Sequence, residues 1–340
     1  MATLSGQVAV VAGATRGAGR GIARMLGEAG AAVYCTGRSS RDAPRTHTHH
    51  FAGRPETIEE TAELVTAAGG EGIPVRVDHA VESEVKRLFS LVKRRHRRLD
   101  ILVNVLTHTP MADWRPLWKQ DVQKGRDQVD GWVWPHVLTA RHALPMMIAG
   151  RSGLVVEIIE QEGIGYHGQI WFDLFEIVLK RLAYAIAVEG ADHGVTALAI
   201  TPGFIRTEAI LERFGATEET WKEVALSNPE ARGFEFIASE TPCYVGRAIA
   251  ALAADPSRAR WSGGVYSSGT LSEAYDFADL DGSRPNIQRY LAERRPELFA
   301  AKAGIVAWEL AGAPVAPASI SRANDASSEA RSASHRARLS

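Results

Sequence analysis

Cysteine is nearly absent. The 340-residue chain has two, Cys35 and Cys243, too few for a disulfide framework, so both are expected as reduced packing residues. An excess of charge of either sign is also missing. Lys and Arg number 39 against 40 Asp and Glu, a formal net charge of −1, which gives no general attraction for nucleic acid or an anionic membrane surface. No apolar run approaches the ~20 residues that span a bilayer. The opening, MATLSGQVAVVAGATRGAGR, passes from an apolar run into a glycine loop and has no small-residue cleavage site of the secretory kind. These absences imply a cytoplasmic protein with neither a membrane nor a nucleic-acid partner. The basic run KRRHRR (93–98) ends a helical pattern, where cations suit the helix dipole, and reads as a solvated face. HTHH (47–50) has histidines but no cysteine or carboxylate pattern beside it, so no metal site is expected there.

What the chain does have is 45% hydrophobic residues, 31 glycines and an alternation of short β-branched runs with helical patterns. VAVVAG (8–13), AAVYCTG (31–37), IPVRVD (73–78), DILVNVL (100–106), GLVVEII (153–159) and VTALAITPG (195–203) read as strands. Helices are expected at Gly17–Ala29, Pro55–Ala68 and Val81–Arg95, over a long stretch ending near Ile148, and at 170–190. Such alternation implies βαβ units and a parallel sheet covered on both faces, an α/β doubly wound fold of the Rossmann type. Residues 39–54 form a polar loop. From about Ala313 the chain is small and polar, and 313–340 is expected to be a disordered tail.

GATRGAGRG (13–21) follows a strand and opens a helix, the context that a dinucleotide-binding loop requires. Gly13, Gly17 and Gly19 allow a tight turn and close backbone approach, and the helix N-terminus can receive a pyrophosphate. After the second strand, where an acidic residue would hold a ribose diol, stand Gly37 and Arg38. A guanidinium pairs well with a 2′-phosphate, and Arg16 adds a second cation, so the residues favour NADP(H) over NAD(H).

With these motifs the chain resembles the short-chain dehydrogenase/reductase family, in particular a longer-chain subgroup with a C-terminal extension. The family's T-G-x-x-x-G-x-G loop is matched by Ala12-Gly13-Ala14-Thr15-Arg16-Gly17-Ala18-Gly19. The likeness runs on through Asp78, Asn104, ARHALP (140–145), GLVVEI, AVEGADHGVTALAITPGFIRTE (187–208) and SGGVYSSG (262–269), covering roughly residues 5–270; FADLDG (277–282) marks the subgroup. The resemblance implies that Asp78 meets the adenine, that Asn104 lines the cofactor, and that Pro202, Gly203, Ile205 and Thr207 approach the nicotinamide amide. It also implies a substrate lid at 204–241 within a domain spanning 1–270, an extension at 271–312 packed on that domain, and a homodimer or homotetramer built on the helix at 170–190.

The same register removes the family's catalytic residues. Its serine position falls on Glu160, its tyrosine on Phe172, its lysine on Glu176 and its helix asparagine on Trp132. Phenylalanine has no proton to give, and a carboxylate cannot depress a phenol's pKa. A carboxyl at Glu160, partly desolvated beside Trp132, Trp171 and Phe172, is a candidate acid or base, with Glu176 a second carboxylate facing the same cavity or a partner of Lys180 across i,i+4. Tyr166 and His167 in the connecting loop, and His108 after the fourth strand, are further candidates. The expected protein is thus an NADP(H)-binding enzyme of oxidoreductase ancestry on a small carbonyl-type molecule. The alternatives are a non-redox isomerase, cyclase or lyase on the same scaffold, or a non-catalytic cofactor sensor.

Overall fold

A computed structural model describes residues 3–42, 53–106, 115–160, 162 and 169–294. Within them the strands β1 (Val8–Ala12), β2 (Ala32–Gly37), β3 (Glu71–Arg76), β4 (Ile101–Asn104), β5 (Gly153–Ile158), β6 (Val195–Thr201) and β7 (Val265–Ser267) form one parallel sheet in the order β3-β2-β1-β4-β5-β6-β7. The helices α1 (Gly17–Glu28), α2 (Ile58–Ala67), α3 (Glu82–His96), α4 (Val122–Gly150) and α5 (Ile170–Gly190) connect these strands. After β6 come α6 (Glu208–Phe214), α7 (Trp221–Ser227), α8 (Pro229–Gly233) and α9 (Pro242–Ala254), and after β7 come α10 (Ser268–Tyr275) and α11 (Ile287–Arg294).

Successive strand residues face opposite sides of a sheet, and both sides are filled here. Ala9 and Val11 of β1 join Ile22 and Leu26 of α1 and Val245, Ile249 and Leu252 of α9 in one buried layer. Val8 and Val10 join Leu88, Phe89 and Val92 of α3, with Leu138 and Met147 of α4, in the other. The strand order reverses direction between β1 and β4, and such a switch point opens a ligand crevice at the carboxyl ends of the strands.

Some boundaries differ from the sequence expectation. β3 runs over Glu71–Arg76 and not 73–78, because its register is set by β2, with Ala32 against Glu71 and Gly37 against Arg76. It is an edge strand, so Pro74 costs no central ladder bond. β4 ends at Asn104, two residues early, and β6 stops at Thr201 before Pro202, which cannot donate to the ladder. Both cysteines are free and buried. No described helix is long and apolar enough to cross a membrane. The loop bearing HTHH and the tail at 313–340 lie outside the described residues.

Candidate functional site

At the end of β1 the chain turns on Gly13 (φ +92°) so close to the residues after β4 that a Cβ there would lie 2.2 Å from the Val105 carbonyl oxygen. Gly19 is equally constrained, since a Cβ on it would stand 2.1 Å from the Gly13 carbonyl oxygen. This close packing delivers the N-terminus of α1, with Gly17, Ala18 and Gly19, to the mouth of the crevice. Arg16 is its N-cap residue and makes no side-chain cap bond. The Gly17 N–H instead donates to Glu208 Oε2 at 3.0 Å. An internal carboxylate therefore sits where the unsatisfied N–H groups of a helix start attract an anion. Thr207 stands opposite, its methyl 3.2 Å from the Cβ position of Gly17.

The cations around the start of α1 are already organised. Arg16 Nε donates to Glu56 Oε2 (3.2 Å), and Arg54 Nη2 donates to Glu56 Oε1 (2.6 Å) while its Nη1 reaches Glu212 Oε2 (2.6 Å). Glu56 is buried. Burial opposes its ionisation, yet the hydrogen bonds from Arg54 and Arg16 hold its carboxyl below the usual carboxylate range. Sequence reasoning missed Glu56 and Arg54, whose only signal was an acidic residue ahead of a helix. Thr15 is buried against Gly37, and Arg38 is half-buried beyond β2. Asp78 shapes the turn after β3: its Oδ1 accepts the Ala80 N–H at 3.0 Å, and its own N–H donates to Glu84 Oε2 at 2.8 Å. Asn104 is fully buried at the end of β4.

Next to the helix terminus lies a cavity of about 510 Å³. Ala18, Pro202, Gly203, Ile205 and Thr207 line one part of it, Glu160 and Glu176 supply carboxyls, and Val105, Leu106, Ile158, Phe175, Ile287 and Leu291 make apolar walls. The size and the few polar groups among apolar neighbours suit a small-molecule site. Glu176 is buried, and both of its oxygens accept the Glu160 N–H, at 3.0 and 3.1 Å. Its Oε2 also lies 3.8 Å from Lys180 Nζ, one turn along α5. The Glu160 side chain remains accessible through the cavity mouth. Desolvation by the surrounding protein raises its pKa, and the accessibility limits that rise.

Trp132 and Phe172 do not line the cavity. They are buried with Ile159, Phe175, Leu179 and Ala183, Trp132 meeting Phe175 edge-on at 5.0 Å between centroids. The aromatic group around Phe172 is core, and Phe175 is its face toward the cavity. Trp171 packs against Gly125 at the start of α4. Tyr166, His167 and His108 lie outside the described residues. Among the described residues no group of three or more His, Cys, Asp or Glu is placed to hold a metal.

Two sets of buried polar groups escaped the sequence. His136 and Glu157, neither exposed, meet at 2.5 Å beneath the cavity. Glu240, 2% exposed, accepts from Ser268 Oγ at 2.6 Å and packs against Gly203 of the cavity wall. Burial pushes the Glu240 carboxyl up to about 8.

A model of the short chain dehydrogenase family matches residues 7–216. The chain is 32% identical over 294 residues to dehydrogenase/reductase SDR family member 1 of Mus musculus, covering 83% of this chain and 86% of that protein. The Homo sapiens protein of the same name is 32% identical over 299 residues, with 86% and 88% covered. Among solved structures, a short chain dehydrogenase from Mycobacterium thermoresistibile matches with a TM-score of 0.66 at 18% identity, covering 84% of this chain and 94% of that one. A short-chain type dehydrogenase/reductase from Mycobacterium marinum gives 0.59 at 21% identity, covering 78% and 94%. At these identities the solved structures share the fold alone.

Proposed function

The chain belongs to the short-chain dehydrogenase/reductase family, and from that premise we propose that it is an NADP(H)-dependent oxidoreductase of small, largely apolar carbonyl or alcohol compounds in which Glu160 handles the proton. The observation that carries this reading is that Glu160 and the Pro202–Thr207 segment share one cavity with the start of α1.

The residues at the nucleotide end fit a dinucleotide. Gly17 N–H already holds an anionic oxygen, that of Glu208, and with the Ala18 and Gly19 amides it would hold the pyrophosphate. Arg16, Arg38 and Arg54 would hold the 2′-phosphate, and Arg16 and Arg54 are already gathered on Glu56. Asp78 and Asn104 would flank the adenine and the far ribose, and Pro202, Gly203, Ile205 and Thr207 the nicotinamide. The bound cofactor supplies or takes a hydride. Glu160, its pKa raised by desolvation, holds a proton to a higher pH than an ordinary carboxyl and gives it to the substrate oxygen in reduction, or takes it back in oxidation. Glu176 fixes Glu160 through its backbone N–H and is itself held by Lys180. Residues 204–241 would act as the lid, and α11 of the extension closes the cavity with Ile287, Gln288 and Leu291.

The test is transfer of deuterium from 4-deuterated NADPH to a series of medium-chain ketones and aromatic aldehydes. Label on the carbinol carbon is expected, and Glu160→Gln should lower its rate by roughly 10²–10⁴-fold, the range of general acid catalysis. NADPH binding without label in any product contradicts the reading.

A non-redox isomerase, cyclase or lyase is the second reading. It is favoured by the absence of Ser, Tyr and Lys among the described lining residues, which leaves the carboxyls of Glu160 and Glu176, beside Thr207 and Gln288, as the polar side chains of the cavity. Solvent deuterium exchanging into substrate with no change in NADPH would select it. A cofactor sensor is the third, and would show as a partner whose affinity follows NADP(H). A homodimer or homotetramer is supported by Leu174, Ile177 and Val178, exposed on the outer face of α5, and Trp134, exposed on α4.

A further inference from the structure

His136 sits on α4 one residue after Pro135, where the missing N–H interrupts the helix ladder. Glu157 sits on β5, with Asn104 of β4 as its direct neighbour in the sheet register. His136 Nε2 lies 2.9 Å from the Leu106 carbonyl oxygen, and His136 Nδ1 lies 2.5 Å from Glu157 Oε2. Asn104 Nδ2 donates to Glu157 Oε1 at 2.8 Å.

The donors and acceptors fix the protons. A carbonyl oxygen only accepts, so Nε2 must carry a hydrogen. One further proton lies between Nδ1 and Oε2, and wherever it rests the pair has no net charge. That neutrality lets two ionisable side chains stay fully buried. Since Oε1 accepts, the Asn104 amide is turned with its nitrogen toward Glu157. His79, the other buried histidine near His136, is held neutral, because burial lowers its pKa to about 3. Phe175, which lines the cavity, packs its ring against the His136 ring at 6.0 Å between centroids.

We propose that His136 and Glu157 are a positioning pair for the ligand site: they clamp the Asn104–Leu106 segment to α4 and β5, and so set the cavity floor that Val105 and Leu106 provide. The proposal deepens the oxidoreductase reading and rests on NADP(H) occupying this cavity. A salt bridge that served stability alone would be replaceable by apolar side chains of similar volume, often at no cost. A positioning pair would not.

The experiment compares Glu157→Gln with the double variant His136→Leu/Glu157→Met, by calorimetric titration with NADPH and by thermal melting. A glutamine can donate to Nδ1 and still accept from Asn104, so Glu157→Gln should keep NADPH affinity within about twofold of the parent. The double variant should stay folded, with a lower melting midpoint because the Asn104 amide and the Leu106 carbonyl oxygen lose their partners, and well below that midpoint it should bind NADPH at least about tenfold more weakly than the parent. Parent-like NADPH binding by the double variant overturns the proposal. A nitrogen-15 spectrum of the imidazoles is read in parallel and needs no cofactor. Protonated Nε2 on His136 supports the clamp, and an unprotonated Nε2 overturns it. If the parent itself binds no NADPH, the oxidoreductase reading falls and the imidazole spectrum still decides on the clamp.

Discussion

Glu240 Oε1 is a buried carboxyl oxygen without a hydrogen-bond partner. Such an atom is costly when charged, and burial, with Asp279 adding repulsion, keeps the group protonated to about pH 8 despite the Ser268 hydroxyl and Arg206. The folded-state value lies above the ordinary carboxyl value of 4.5. Between these two pH values the folded protein keeps a proton that the unfolded chain has lost. The stability this group contributes is therefore full below the lower value, falls as pH rises through the window and levels off above about 8. Glu240→Gln keeps an acceptor for Ser268 and removes the titration. Urea unfolding between pH 5 and 8 should show the parent losing on the order of a few kcal/mol more than the variant. Equal pH dependence in the two would show that Glu240 titrates normally. None of this was legible in the sequence, where Glu240 stands in the run SETP with no motif around it. The same limit hid Glu157. Inside GLVVEI it passes for one polar residue in a strand, and its partner His136 stands 21 residues upstream in sequence. Motif residues are legible because each declares itself locally, as Gly13 and Gly19 do by demanding closeness. Buried pairs declare themselves only in three dimensions.

At the scale of elements, α6, which follows the Pro202–Thr207 segment, is tied to the residues around the start of α1 at two points one turn apart. Glu208 holds the Gly17 N–H and lies 3.7 Å from Arg20, and Glu212 pairs with Arg54. Both are groups that a pyrophosphate and a 2′-phosphate would claim under the proposed reading, so α6 would give up these contacts if NADP(H) binds there. Glu208→Gln weakens the internal competitor and should tighten NADPH binding by roughly three- to tenfold, in line with the strength of one charge-assisted bond. Weaker binding in that variant would mean that Glu208 supports the site and does not compete for it. The 204–241 segment is also held from its base. Arg206 is fully buried, bonding Glu218 at 2.8 Å, Asp281 at 3.2 Å and the Ser239 carbonyl oxygen at 2.8 Å, with its guanidinium 4.1 Å from the Trp221 ring. It thereby joins the 204–241 segment to the DLDG run of the extension. The sequence offered the lid by resemblance; it gave no sign of this anchor, nor that α11 would reach the cavity.

For the whole molecule, the order of strands and helices could be read from periodicity because β1, β2, β4, β5 and β6 are buried on both faces and the helices α1 to α5 on one. Its few boundary errors lie where pairing overrides local pattern, as at β3 on the sheet edge. At the catalytic end the resemblance implies a loss, its register setting Glu160, Phe172, Glu176 and Trp132 at the family's Ser, Tyr, Lys and Asn positions. The structure divides those four into two in the cavity, Glu160 and Glu176, and two in the core. The account as a whole depends on the crevice at the β1–β4 switch holding NADP(H). Calorimetric titration of the full chain with NADPH and, separately, NADH tests this most directly. The account predicts micromolar binding of NADPH with NADH at least roughly tenfold weaker, about 1.4 kcal/mol for the 2′-phosphate held by Arg16, Arg38 and Arg54. Equal affinity for the two would contradict the role of the arginines, and no binding of either would contradict the central claim.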